Sequence, residues 1–163
     1  MDVKYVNPVL DSIVNVLSMM AQMKPEAGKP RIKDGSEALG VVTGMIDFKG
    51  SGVAVSTAIS FSKPVALEIT KRMMHTDPQE VDEMVQDLVG EISNMMAGGA
   101  KGTLEGQGYS LDLTLPSVFT GDPHEIKHTV SGPVILLPFT TEAGDFFVEL
   151  VSAEETAQIQ QSG

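Results

Sequence analysis

At 163 residues with 42% hydrophobic content, the chain is long enough for a single domain with a proper core. The absence of cysteine excludes disulfides, thiolate metal sites and a cysteine nucleophile. A formal net charge of −11 argues against nucleic acid and anionic membrane surfaces as partners, because both require basic patches.

The chain opens with an apolar cluster, Val9, Leu10, Ile13, Val14, Leu17, Met19 and Met20. Asp2, Pro8, Asp11, Ser12 and Asn15 interrupt it and no small-residue cleavage site follows, so it does not read as a signal peptide. Its spacing predicts an amphipathic helix over about 8–23. No apolar run is long enough to span a membrane, and a cytoplasmic protein is expected. The stretch KPEAGKPRIKDGSE at 24–37 reads as a loop. Its Lys29, Arg31 and Lys33 read as solvated charge, with an anion or partner contact as the alternative.

A strand is predicted over 38–48, a turn at 49–52, and a second strand at 53–61. In the second, Val53, Val55, Thr57, Ile59 and Phe61 alternate with Ala and Ser, which predicts a hairpin whose second strand has one small face where a helix can lie close. Ser62 and Pro64 open a helix reaching about Met74, with Val65, Leu67, Ile69 and Met73 as its apolar contacts. His75 and Thr76 connect it to the next element.

The longest regular pattern occupies 77–107. Val81, Met84, Val85, Leu88, Val89, Ile92, Met95 and Met96 recur at three- and four-residue spacing, predicting a long amphipathic helix. Asp77 is placed as its cap, Pro78 at its first position and Glu80 in a capping box, with Gly106 and Gly108 marking the stop. At about 100° per residue, Asp87, Glu91, Asn94 and Gly98 form one stripe opposite the apolar seam, with Glu91 and Asn94 about 5–6 Å apart at Cβ. A carboxylate beside an amide, with a glycine one turn on, is a surface that another protein's backbone can approach. The plainer alternative is a solvated helix face. Asn94, Gly90, Gly98, Gly99 and Gly102 are poor helix formers, so packing of a second helix or approach of a partner has to account for the glycines.

After this helix the chain reads as strands. Leu111, Leu113 and Leu115 alternate with polar residues, Pro116 interrupts, 117–120 continues, and a turn falls at 121–123. Further strands are predicted at 126–130, 134–141 and 146–152. The class is therefore α+β, a mostly antiparallel sheet packed against about three helices, one of them long and carrying the site. A single domain over 1–153 is expected, with 154–163 as a flexible tail.

Conventional chemistry is not visible. His75, His124 and His128 are scattered, with no HExxH pair and no acidic cluster at metal-ligand spacing, and His124 and His128 read as surface residues. The glycines of GMIDFKGSG lack a following GK[ST], and there is no GxSxG elbow.

Taken together, these stretches resemble the CheX branch of the CheC/CheX/FliY phosphatases, which dephosphorylate the response regulator CheY. In that family a long helix carries an acidic residue and then Glu-x-x-Asn, with a proline at the following strand; here Asp87, Glu91, Asn94 and Pro116 fill those positions. The leading helix, the KPEAGKP loop, the GMIDFKGSGVAVSTAISFS hairpin, the KPVALEITKRMM helix and the closing strands extend the resemblance over nearly the whole chain. Gly98-Gly99 departs from the family pattern in being richer in glycine. The resemblance implies a phosphatase acting on the aspartyl phosphate of a CheY-type regulator. Asn94 would position water, Glu91 would pair with the regulator's lysine, and Asp87 and Gly98 would lie in the docking surface. No cofactor of its own is implied, Mg²⁺ belonging to the regulator, and a homodimer joined through the sheets is. The competing expectation is a non-catalytic adaptor of the same fold that docks regulators or flagellar switch components; a phosphate sink for regulators outside chemotaxis is a weaker one.

Overall fold

The hairpin predicted mid-chain forms the middle of the sheet. In the computed structural model, which describes residues 4–154, β3 (Val42–Gly50) and β4 (Val53–Phe61) pair from Val42↔Phe61 to Gly50↔Val53. Ser51 and Gly52 turn the chain with φ of 54° and 74°, the mirror-image geometry that two-residue hairpins favour. Residues 38–41, expected in the first strand, leave the ladder: Ala38 N–H donates to His124 O at 2.8 Å and Gly40 N–H to Ser60 Oγ at 2.9 Å.

Around this hairpin the chain adds α1 (Val6–Ala21), β1 (Glu26–Ala27), β2 (Arg31–Ile32), α2 (Lys63–Met74), α3 (Glu83–Glu105), β5 (Asp112–Leu113), β6 (Ser117–Thr120), β7 (Ile135–Thr141) and β8 (Gly144–Glu154). The sheet runs β1-β7-β8-β4-β3-β5, with β2 also on β7 and β6 also on β3. Every pairing is antiparallel. Three helices on a mostly antiparallel sheet are the α+β architecture the sequence predicts. The 24–37 stretch is not wholly loop, because β1 and β2 each dock two residues on β7. At the far end β8 runs to Glu154, which the sequence assigns to the tail. Glu154 pairs with Val53 and receives Lys4 Nζ at 2.7 Å and the Tyr5 hydroxyl, contacts that pull its carboxyl below the ordinary range. The remainder of that expected tail, 155–163, lies outside the described residues.

Alternation along the strands separates two faces. Val42, Phe48, Val55, Ile59, Phe61, Phe146, Val148 and Leu150 join the three helices in one core. What lets α3 lie close to the sheet is Gly44 of β3, where an added Cβ would fall 2.0 Å from Ser93 Oγ. The small face of β4, expected to serve this purpose, points the other way, and Ala58 and Ser56 are covered by residues 121–134 instead.

That segment crosses the far face as a strap, which corrects the strand expected at 126–130 and the surface placement of His124 and His128. Ile126 packs with Ala38, Met45 and Ala58. His124 Nε2 lies 2.7 Å from Thr43 Oγ1, and Thr129 Oγ1 donates to Asp47 Oδ2 at 2.6 Å. His128 is buried between Ser56 Oγ at 2.8 Å and Glu149 Oε1 at 3.0 Å. Glu149 also accepts from Lys33 Nζ at 2.6 Å, with the two side chains only 1% and 5% exposed, so Lys33 is a buried ion-pair partner and not a solvated loop charge. A buried carboxylate requires such compensation.

Candidate active site

The long helix starts later than expected. Asp82, in extended conformation, accepts from Val85 N–H at 3.0 Å and is the N-cap of α3. Asp77 and Pro78 lie in the connector, and Glu80 pairs with Lys63 at 2.8 Å instead of closing a capping box. Both aspartates carry the capping signal, but only the second reaches an orphan N–H. The stop after Glu105 is as predicted, and Gly108 takes φ of +102°.

Burial sorts the faces of α3 as the spacing predicts. Val85, Val89, Ile92, Ser93, Met96, Ala100 and Leu104 are buried, whereas Asp87, Glu91, Asn94 and Gly98 are exposed along the opposite side. The side chains of Asp87, Glu91 and Asn94 have no hydrogen-bond or ion-pair partner among the described residues. The helix beneath them is held firmly. Ser12 Oγ of α1 donates to Met96 O at 2.7 Å, Ser93 Oγ donates to Val89 O at 2.9 Å, and Ser93 sits against Gly44. A rigid element is the right support for a site that works by positioning.

The glycines divide between the two explanations left open by the sequence. Gly99 is a packing residue, since an added Cβ would lie 2.2 Å from Ser12 Oγ. Gly90 faces Val118 of β6, 3.3 Å from such a Cβ. Gly98 and Gly102 face open space. Pro116 separates β5 from β6, which otherwise line up along β3, and so brings Val118 beside Gly90, the residue before Glu91.

One further feature adjoins the stripe. Met84, placed in the apolar seam by its spacing, is 41% exposed; with Met74 (47%), Glu83, Asp87, Leu88 and Glu91 it lines an open groove of about 470 Å³. Neither methionine is marked as a surface residue by periodicity. Among the described residues no group of three or more His, Asp and Glu is placed to hold a metal ion. No described helix is long and apolar enough to cross a membrane.

The structure is thus a single sheet backed by three helices, an α+β class of protein, with an amide and a carboxylate that have no partner among the described residues on the exposed face of the long helix. The comparisons agree on its family. The family model for "Chemotaxis phosphatase CheX" matches residues 42–140. The chemotaxis protein CheX of Vibrio vulnificus, a solved structure, is 39% identical, with a TM-score of 0.86 over 92% of this chain and 99% of that one. The CheY-P phosphatase CheX of Thermotoga maritima is 29% identical over 148 residues, 90% of this chain and 94% of the relative. A CheX of Borrelia burgdorferi, solved in complex with CheY, BeF3 and Mg²⁺, is 25% identical, with a TM-score of 0.79 over 94% of this chain and all of that one. The chain belongs to the CheX family.

Proposed function

We propose that the protein hydrolyses the aspartyl phosphate of a CheY-type response regulator, with Asn94 positioning the attacking water and Glu91 pairing with the regulator's active-site lysine. The observation that carries this reading is the placement of Glu91 and Asn94, one helical turn apart and without partners among the described residues, on the exposed crest of α3. Two relatives support it, the Thermotoga maritima CheY-P phosphatase and the Borrelia burgdorferi CheX solved with CheY.

The substrate is an acyl phosphate. Water attacks phosphorus in line, the bond between phosphorus and the aspartyl oxygen breaks, and the carboxylate leaves with the electron pair while inorganic phosphate retains the proton balance of the water. The regulator contributes Mg²⁺ and its lysine, so this chain has little covalent chemistry to perform. An amide is too weak a base to take a proton, but it can fix the water's orientation by accepting and donating hydrogen bonds, as a glutamine does in GTPases. Glu91 neutralises and orients the lysine. Asp87 and Gly98 lie in the docking surface, Gly98 because open space above it admits a close backbone approach.

The reading is tested by phosphate release from a Mg²⁺-loaded, phosphorylated receiver domain with the protein at substoichiometric concentration. Multiple turnovers above the receiver's own hydrolysis are expected. Binding without acceleration would contradict the phosphatase reading and leave an adaptor.

A further inference from the structure

The acidic stripe reaches further toward the start of α3 than the Glu91 and Asn94 pair requires. Glu83, Asp87 and Glu91 recur every four residues, all exposed and all without an ion-pair partner among the described residues. Elsewhere on the surface Glu68 and Glu142 share Arg72, Glu80 takes Lys63, Glu105 takes Lys101 and Glu154 takes Lys4, while Asp11, Glu26, Asp112 and Glu125 also have no ion pair among the described residues; what sets Glu83, Asp87 and Glu91 apart is that they line one groove with exposed methionines. Glu83, in the first turn of α3, is favoured by the helix dipole, but Asp87 and Glu91 lie beyond that turn and as like charges four apart cost the helix a few tenths of a kcal/mol, so helix stability does not account for those two. Beside the stripe, Met74 at the end of α2 and Met84 on α3 form the apolar part of the 470 Å³ groove. Exposed methionines adapt their shape to an incoming side chain, and unpaired carboxylates on the rim favour a cationic one.

We propose that this groove docks the receiver domain itself, by seating an apolar side chain flanked by lysine or arginine, and that it sets which receivers are accepted. The inference rests on the phosphatase reading, because Glu91 belongs both to the groove and to the reaction stripe. At 1.5 Å per residue, Asp87 and Glu83 lie about 10 and 16 Å along the axis from Asn94. They are therefore out of reach of the reacting atoms but inside the footprint of a typical interface of about 800 Å² per partner. Apart from Glu91, which it shares with the reaction stripe, the groove is a docking and selectivity element with no part in the chemical step. Its basic, apolar occupant is also what a chain of net charge −11 attracts at long range.

The test measures kcat and KM on a receiver that the wild type dephosphorylates, comparing wild type, the double variant Met74→Lys/Met84→Lys, and Glu83→Gln, with thermal unfolding as the check that each is folded. The double variant is expected to raise KM by about tenfold or more while kcat stays within about twofold. Glu83→Gln is expected to raise KM less and to flatten its rise with ionic strength. Unchanged KM in both variants, or a fall in kcat at constant KM, would overturn the docking role. If the wild type accelerates a receiver and Asn94→Ala does not, yet the groove variants match wild type, the groove proposal alone fails. If the wild type accelerates no receiver, the phosphatase reading and the groove fall together.

Discussion

In the proposed mechanism Asn94 and Glu91 have different jobs on the same exposed face of α3, and on that reading their substitutions should separate. An alanine at 94 removes the group that orients water while leaving the surrounding surface intact; kcat should fall by on the order of 10²-fold, comparable to loss of one preorganised hydrogen-bonding group, with receiver affinity nearly unchanged. Glu91→Ala removes the partner of a cation and opens the edge of the groove, so steady-state kinetics should show a lower kcat and a higher KM together. What was legible from sequence is that the two residues share an exposed face, because a 3.6-residue period fixes which side chains line up and the burial of Val85, Val89, Ile92 and Met96 leaves no other orientation for α3. Met84 was not legible in this way. Its spacing puts it at the margin of the apolar seam, and only the position of α2 decides that it faces a groove.

At the scale of elements, α3 is placed by two close approaches, one to α1 at Gly99 and one to β3 at Gly44. Gly99→Ala should destabilise the fold by about 1–3 kcal/mol through overpacking against Ser12. Gly98→Ala, one residue away and in open space, should instead raise stability by about 0.5–1 kcal/mol through helix propensity, and should weaken receiver binding if the partner's backbone approaches there. Denaturant melts and binding titrations of the pair separate these effects. The strap over the far face gives a second contrast. Lys33→Met strands the buried Glu149 carboxylate with His128 alone, and is expected to cost about 3 kcal/mol, roughly 6–12 °C in Tm for a chain of this size. Adding Glu149→Leu to that variant should recover most of the loss in the same thermal melt, because the uncompensated charge is then gone. The sequence hides this network. Ile126, His128 and Val130 alternate as a strand would, and Lys33 meets Glu149 across a sequence separation of 116, so neither burial nor pairing has a local signal. Local chemistry did announce the β3–β4 hairpin, the Pro64 start of α2 and the end of α3, since turns, caps and stops are written within a few residues.

For the whole molecule, the antiparallel sheet leaves edges at the β5 and β6 side and at the β1 and β2 side, and Leu115 next to the former is 89% exposed. The family resemblance implies a homodimer joined through the sheets. Sedimentation is therefore predicted to give twice the 17.3 kDa chain mass at micromolar concentration, and a monomer there would contradict it. Such a dimer leaves α3 free on each copy if it forms along the β1 and β2 edge, because α3 packs near the opposite edge, with Gly90 beside Val118 of β6. One chain thus divides its labour between a sheet that closes the core, a strap that seals the back, and a helix whose crest is available to a partner.

The most direct test of that division is to measure receiver affinity and turnover on the same preparation of Asn94→Ala. Binding of a beryllofluoride-activated, Mg²⁺-loaded receiver at wild-type strength, together with loss of catalysed phosphate release, is the predicted result. Turnover within about twofold of wild type, or binding lost along with activity, would contradict the assignment of Asn94 to the attacking water.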